Sequence, residues 1–400
     1  MHLQQNMINH RNIFLEHVAQ TSQAPLALHI THASDCHLYD ITGKSYIDLI
    51  SGISVCNLGH NHPAIVKAIQ EQSEKFLHVM VYGELIESPQ TLLAHELCKF
   101  LPAGLNCTYF VNSGTEAVEG SLKLAKRFTG RHNIIAFKNA YHGSTQGSLS
   151  LMSDEYFTAA YRPLLPGITF LHATDPDVSQ INSSTACVII ELVKAEEGCM
   201  VTQKESIQKI RKRCYETGTL LIVDECQTGM GRTGTLFAFE HYQIEPDILI
   251  LGKAFGGGMP LGAFISSKKI MHCLTYNPLL GHLTTFGGHP LSCAAGLASL
   301  VNLTSGSLIK NVHNKELLFR SLLKHTKIRS IKGIGLLLGL EFESAIFTKK
   351  LIDGCIEKGL FTDWFLFAPN MLRIAPPLNI EDDLIKHSCE IILNTIEELS

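Results

Sequence analysis

No Cys-x-x-Cys pair occurs in this chain, although it carries 12 cysteines and 20 histidines in 400 residues. Structural zinc sites need such ligands at close spacing, so no metal site is expected. The cysteines are scattered through apolar context and read as buried free thiols in reducing surroundings. His60-Asn61-His62-Pro63 has no neighbouring acid or cysteine and reads as a turn before a helix. Runs of basic residues are also missing, and the net charge of −4 leaves no electrostatic footprint for nucleic acid. No apolar run approaches the length of a membrane span. The opening MHLQQNMINHRNIF lacks the continuous apolar core of a secretory signal. A soluble, cytoplasmic protein is the expectation.

Hydrophobic residues make up 45% of the chain and charged ones 18%, the balance of a well-buried globular protein. After about residue 105, short apolar runs alternate with helical stretches. Strands are predicted at Thr108–Val111, Asn133–Phe137, Ile168–His172, Cys187–Val193, Thr219–Val223, Ile248–Leu251 and Ala263–Ser266. Between the first two, Val118, Leu122, Ala125 and Phe128 recur at helical spacing. This alternation predicts an α/β fold with a mostly parallel sheet covered on both faces. Near Ser305-Gly306-Ser307 the pattern changes. A helix at Asn314–His325, a strand-like run at Gly335–Phe342, a helix at Thr348–Lys358, short strands around Leu360–Phe367 and Met371–Ile374, and a helix at Glu381–Leu399 read as a smaller α+β domain. The expected division is a large domain over 54–303 and a small one made of 1–53 with 304–400. A hairpin-like segment, His37–Asp48, lies in the first part.

Leu220-Leu221-Ile222-Val223-Asp224 ends in an acid, and Ile248-Leu249-Ile250-Leu251-Gly252 leads into Lys253. In open α/β sheets, ligands bind outside the carboxyl ends of the strands. A lysine and an acid on adjacent strand ends suit pyridoxal phosphate, the lysine forming a Schiff base and the acid keeping the pyridine nitrogen protonated.

Other segments have both a plain reading and a chemical one. Asn112-Ser113-Gly114-Thr115-Glu116 opens the helix above. Ser113 with Glu116 is a capping box, and the N–H groups of Gly114 and Thr115 at a positive helix end also suit a phosphate. Gly229-Met230-Gly231-Arg232-Thr233-Gly234 matches the dinucleotide pattern formally, but Asp224–Thr228 separates it from its strand. The next residues, Thr235-Leu236-Phe237-Ala238-Phe239, start poorly as a helix. Tyr141, in Tyr141-His142-Gly143, is placed to stack on a planar ring or simply to pack. Arg373 sits in the apolar run Met371–Pro377, where a charge needs a partner; Glu191 and Glu196 are candidates.

Taken in order, these segments resemble the class III pyridoxal-phosphate aminotransferases of fold type I, the acetylornithine, ornithine and 4-aminobutyrate aminotransferase group. The resemblance covers nearly the whole chain. It runs from Leu38-Tyr39-Asp40-x-x-Gly43-Lys44 and Asn57-Leu58-Gly59-His60-x-His62-Pro63 through Phe110–Ala117 and Asp224–Gly234 to Thr284–Gly288 and Leu372–Pro377.

The resemblance implies that Lys253 carries the cofactor and shuttles protons, and that Asp224 pairs with the ring nitrogen. Gln227 meets the ring hydroxyl, Tyr141 stacks on the ring, and His142 belongs to the same cofactor site. Ser113, Gly114 and Thr115 hold the phosphate, and Thr285 reaches the phosphate of a neighbouring subunit in a homodimer. Arg373 binds a substrate carboxylate, with Glu196 as its alternative counter-ion and Glu191 as a further substrate-binding residue. The implied activity is transfer of an amino group from an ω-amino acid or ornithine-like donor to a 2-oxo acid.

Two departures bear on the substrate. Ser144 stands where these enzymes usually carry an arginine after Tyr-His-Gly. Glu191-Leu192-Val193-Lys194-Ala195-Glu196 replaces Glu-Pro-x-Gln-Gly-Glu, and Lys194 is hypothesised to restore positive charge near the substrate. The rival readings are an aminomutase or decarboxylase of the same fold, a nicotinamide-dependent dehydrogenase using the glycines at 229–234, and a relative that binds without catalysing.

Overall fold

The computed structural model describes residues 9–399. The first eight residues of the opening run, on which the reading of a missing signal partly rests, lie outside them. Seven strands form the central sheet, in the spatial order Cys107–Val111, Gly262–Ser266, Ile248–Leu251, Leu220–Asp224, Thr185–Ile190, Asn133–Phe137 and Ile168–Leu171. All pairings are parallel except those of Gly262–Ser266, which runs antiparallel to both neighbours. Thr185–Ile190 and Leu220–Asp224 are buried at every position, as near-continuous apolar strands covered on both faces must be. The antiparallel strand carries no mark in its own residues, since a fully buried strand reads alike in either direction.

The Gly114–Thr129 helix buries Val118, Leu122 and Ala125 as its spacing predicts, while Phe128 turns outward and is partly exposed. The strand predicted to run to Val193 stops at Ile190. Glu191 leaves the sheet, and Val193–Lys194 pairs instead with Met200–Val201 in a separate small hairpin. The single strand predicted over Gly335–Phe342 is a hairpin of Ser330–Ile334 and Leu337–Glu341, turning at Gly335, whose φ of 62° lies in the left-handed region. The helix predicted from Asn314 begins at Leu308, directly after the Ser305–Ser307 break.

The C-terminal strands form an antiparallel sheet in the order Ser330–Ile334, Leu337–Glu341, Ala368–Ile374, Trp364–Phe365. The N-terminal hairpin of His37–Asp40 and Ser45–Asp48 joins this end of the chain, because Leu360–Phe361 pairs parallel with Ser45–Asp48. His60 finds a partner that sequence proximity hides: its Nε2 lies 2.7 Å from Asp48 Oδ2. Although burial opposes it, Asp48 and Cys56 push the His60 pKa up to about 10.

Gly229–Gly234 serves packing. The chain turns through residues 225–238 and reaches only a four-residue helix at Phe239–Tyr242, so the helix start that a dinucleotide phosphate needs is absent after these glycines. The Arg232 side chain is fully buried and donates to the carbonyls of Leu336 and Pro376, to Ser51 Oγ and to Asn57 Oδ1. Burial pulls its pKa down to about 9, against Asp48 and Cys56, so the guanidinium stays charged at neutral pH. One side chain thus ties the loop after the Leu220–Asp224 strand to the N-terminal and C-terminal segments.

Candidate active site

Because the strand ends of Cys107–Val111, Asn133–Phe137, Thr185–Ile190, Leu220–Asp224 and Ile248–Leu251 share one rim, the loops after them converge. There they line a cavity of about 260 Å³, which brings together Gly114, Thr115, Tyr141, His142, Asp224, Gln227 and Lys253. Gly143, Ser144, Glu191, Glu196 and Cys226 complete the lining.

Asp224 is the last residue of its strand and is buried. Its Oδ2 lies 2.7 Å from His142 Nδ1, and its Oδ1 accepts the Cys226 N–H at 3.0 Å. Burial alone would raise the Asp224 carboxyl, but the hydrogen bond and charge of His142, with the Cys226 N–H, hold it below its ordinary value. The same contact raises His142 against its own burial. Asp224 is therefore a carboxylate kept ionised in a place that otherwise disfavours charge.

Lys253 adopts a φ of 49°, an uncommon conformation for a lysine and one that clusters at functional sites. Its Nζ donates to Gln227 Oε1 at 2.7 Å. The Gln227 Nε2 and His142 Nε2 atoms are buried and meet no partner among the described residues. Buried polar atoms left open in this way point to a missing ligand.

Two glycines shape the phosphate end. A Cβ at Gly114 would sit 2.6 Å from Cys226 Sγ, and one at Gly143, where φ is 122°, would collide with Thr115 Oγ1. Ser113 Oγ accepts the Glu116 N–H, whereas the Glu116 carboxylate takes the N–H of Asn112 rather than that of Ser113. The expected capping box therefore closes one residue early, and the Ser113 hydroxyl accepts in the cap while its own O–H remains a donor. Thr115 Oγ1 lies 2.7 Å from Thr145 Oγ1 and 2.9 Å from Ser148 Oγ, a hydroxyl network that Glu119 anchors through Thr145.

Arg373 meets Glu196 through two bonds, Nη1 to Oε1 at 3.0 Å and Nη2 to Oε2 at 3.1 Å. Glu191, the other candidate partner, does not reach it; its Oε2 accepts the Tyr141 N–H at 2.8 Å. Burial, reinforced by Asp224 and opposed by His142, pushes the Glu191 carboxyl up to about 7. The second acid beside Arg373 is Asp363, whose Oδ1 lies 2.9 Å from Nε in an ion pair, although the two atoms are not aligned for a hydrogen bond. Sequence reasoning missed Asp363; its signal is its place across the hairpin from Arg373, whose backbone N–H donates to the Asp363 carbonyl.

Lys194 does not offer its charge to the cavity. Its side chain is buried, paired with Glu197 and donating to the Lys138 carbonyl at 3.3 Å. Ser144 Oγ lies 3.1 Å from the Tyr141 hydroxyl. Thr285 is exposed and outside the cavity of its own chain, while its neighbour Thr284 accepts from Asn112 Nδ2 at 3.1 Å.

An ionised carboxylate and a lysine facing one small cavity, over a close-packed glycine cup at a helix start, fit the ring and phosphate of pyridoxal phosphate and define an enzyme of that cofactor class. Residues 18–396 match the class-III aminotransferase family, and the chain belongs to it: it is an aminotransferase. It is 36% identical over 378 residues to the acetylornithine aminotransferase of Aquifex aeolicus, covering 92% of this chain and 97% of that protein. It is 37% identical over 380 residues to that of Methanocaldococcus jannaschii, covering 90% of each. The fold matches that of the Toxoplasma gondii ornithine aminotransferase with a TM-score of 0.89 at 26% identity, over 97% of this chain and 94% of the other; that enzyme carries the cofactor at partial occupancy in its active site.

Proposed function

We propose that this aminotransferase moves the ω-amino group of an ornithine- or acetylornithine-like donor to a 2-oxo acid in two alternating half-reactions. The observation that carries this reading is the buried, end-on pair of Arg373 and Glu196 beside the cavity. With Glu196 in place the guanidinium is neutralised, and a donor can present its amine without a carboxylate at that point. A 2-oxo acid then replaces Glu196 with its own carboxylate, so a charged group exchanges for a like one and no unpaired charge is left buried.

Pyridoxal phosphate supplies a carbonyl that condenses with amines and a protonated ring that draws electrons from the reacting carbon. Lys253 would hold the cofactor through its Nζ and, when free, would be the base that takes the proton from the amine-bearing carbon. Asp224 would keep the ring nitrogen protonated, which its own ionised state supports. The open Nε2 of Gln227 is a donor for the ring hydroxyl, and Tyr141 is assigned to the ring face. Ser113, Gly114 and Thr115 are assigned to the phosphate, Ser113 also capping the helix, and Thr285 to the phosphate in a partner subunit.

We further infer a homodimer working in the cytoplasm, with 54–303 as the cofactor domain and 1–53 with 304–400 as the smaller one. Apolar side chains left in the open support the dimer: Ile86 is 95% exposed and Leu279 75%, and residues 82–84 border one cleft with Leu279, Leu280, His282 and Leu283. Sedimentation at micromolar concentration checks it, a monomer contradicting the assignment of Thr285. The donor assignment is tested by offering ornithine, acetylornithine, succinylornithine, 4-aminobutyrate and lysine with 2-oxoglutarate or pyruvate. No transfer from any of the ornithine derivatives would overturn it.

A further inference from the structure

Arg373 is held from two sides. Glu196 occupies the Nη1 and Nη2 edge, and Asp363 Oδ1 lies 2.9 Å from Nε as a charge contact, without the alignment of a hydrogen bond. The short hairpin carrying Asp363 wraps the same side chain: Nη2 also donates to the Trp364 carbonyl at 2.9 Å, and the Phe365 ring centroid lies 4.4 Å from the guanidinium carbon. The hairpin is itself fixed to the Arg373 backbone, whose N–H donates to the Asp363 carbonyl at 2.9 Å and whose carbonyl accepts from Thr362 Oγ1 at 2.7 Å.

We propose that Asp363 is a positioning residue that makes Glu196 displaceable, holding Arg373 in place and charge-balanced while Glu196 gives way to the carboxylate of the incoming acid. This rests on the exchange of carboxylates at Arg373 proposed above. Two acids share one guanidinium, so Arg373 keeps a counter-ion whether or not Glu196 is in place. Burial first and then the Glu196 charge push the Asp363 carboxyl up to about 6 despite Arg373. When Glu196 leaves, Asp363 remains as the sole counter-ion on Nε and keeps the Nη edge aimed at the cavity. Without Asp363, the vacated Arg373 is an unpaired buried charge with nothing on Nε to keep it in place, so the exchange costs more and a substrate acid binds less well.

The test uses the holoenzyme and glutarate, a dicarboxylic acid with no reactive carbonyl. Titrated by calorimetry, glutarate should bind Asp363→Ala about tenfold more weakly than wild type, the scale of one lost interaction with a charged group. The KM for 2-oxoglutarate should rise by the same factor, while the donor half-reaction, followed by the cofactor's absorbance, keeps its rate. Asp363→Asn retains the volume and an acceptor without the charge and should lose about threefold. The double variant Asp363→Ala/Arg373→Ala should match Arg373→Ala alone, because Asp363 acts only through Arg373. Unchanged or tighter glutarate binding in Asp363→Asn, or equal losses in both half-reactions of Asp363→Ala, overturns the proposal. Should Asp363→Ala fail to fold, the isosteric Asn variant decides the matter alone. Failure of the underlying reading looks different: Arg373→Ala would then bind glutarate as tightly as wild type.

Discussion

His142 Nδ1 and Asp224 Oδ2 lie 2.7 Å apart, and both side chains are almost completely removed from solvent. The contact makes Asp224 ionised where burial would have neutralised it. His142→Leu removes the partner and strands a buried carboxylate, a change that costs roughly 3–5 kcal/mol in comparable buried pairs. Thermal unfolding should show the loss. Cofactor affinity should fall with it, because an Asp224 that takes up a proton no longer holds the ring nitrogen protonated. Unchanged stability and affinity would separate His142 from the site.

Glu191 predicts a pH dependence with a defined sign. Its carboxyl is pushed from 4.5 up to about 7, chiefly by burial. A folded-state value above the unfolded one contributes stability that is fully present below pH 4.5 and is lost as the pH rises through about 7. Glu191→Gln keeps an oxygen for the Tyr141 N–H and removes the titration. Its stability relative to wild type should therefore increase from pH 5 to 8, by on the order of 3 kcal/mol at most. Parallel unfolding curves across that range would contradict the account.

Lys194 should matter for stability and not for substrate. Its charge is already matched by Glu197 and the Lys138 carbonyl. Lys194→Met should leave the KM for a dicarboxylic acceptor unchanged and lower stability by roughly 1–3 kcal/mol, the cost of leaving Glu197 without its partner. A raised KM at unchanged stability would restore Lys194 as a substrate contact.

Arg232 provides a control outside the chemistry. Its guanidinium serves four acceptors drawn from three parts of the chain. Arg232→Met leaves those acceptors unpaired in the interior and should lower stability by about 3–5 kcal/mol. Denaturant unfolding followed by cofactor absorbance and by far-ultraviolet dichroism would report it; a neutral substitution would refute the tie.

Much of this was legible in the residues themselves, and the losses have physical causes. Asp224 and Lys253 announced themselves as charged residues closing apolar strands, and the helix after Ser113 by its period and cap. The direction of Gly262–Ser266 left no trace, because burial on both faces erases the alternation that would reveal it. Glu191 and Glu196 looked equivalent as partners for Arg373, yet the strand ends at Ile190, so Glu191 turns to the Tyr141 backbone and, of the two, only Glu196 reaches the guanidinium. Asp363 and the Lys194–Glu197 pair depend on a hairpin and a loop whose register local sequence does not specify. The glycines at 229–234 match in form only: the positive-φ turns at Met230, Gly231 and Gly234 wrap the chain around Arg232 instead of opening a helix.

The central claim is that Lys253 drives oxo-acid-dependent transfer of an ω-amine. The most direct measurement mixes holoenzyme with the best ornithine-type donor and 2-oxoglutarate and follows glutamate against donor by chromatography. The account predicts glutamate formed in equal amount to donor consumed, no glutamate without the oxo acid and at most one equivalent of donor consumed per site, and no glutamate from Lys253→Ala. Donor consumed catalytically without an oxo acid, by isomerisation or with release of carbon dioxide, would contradict it.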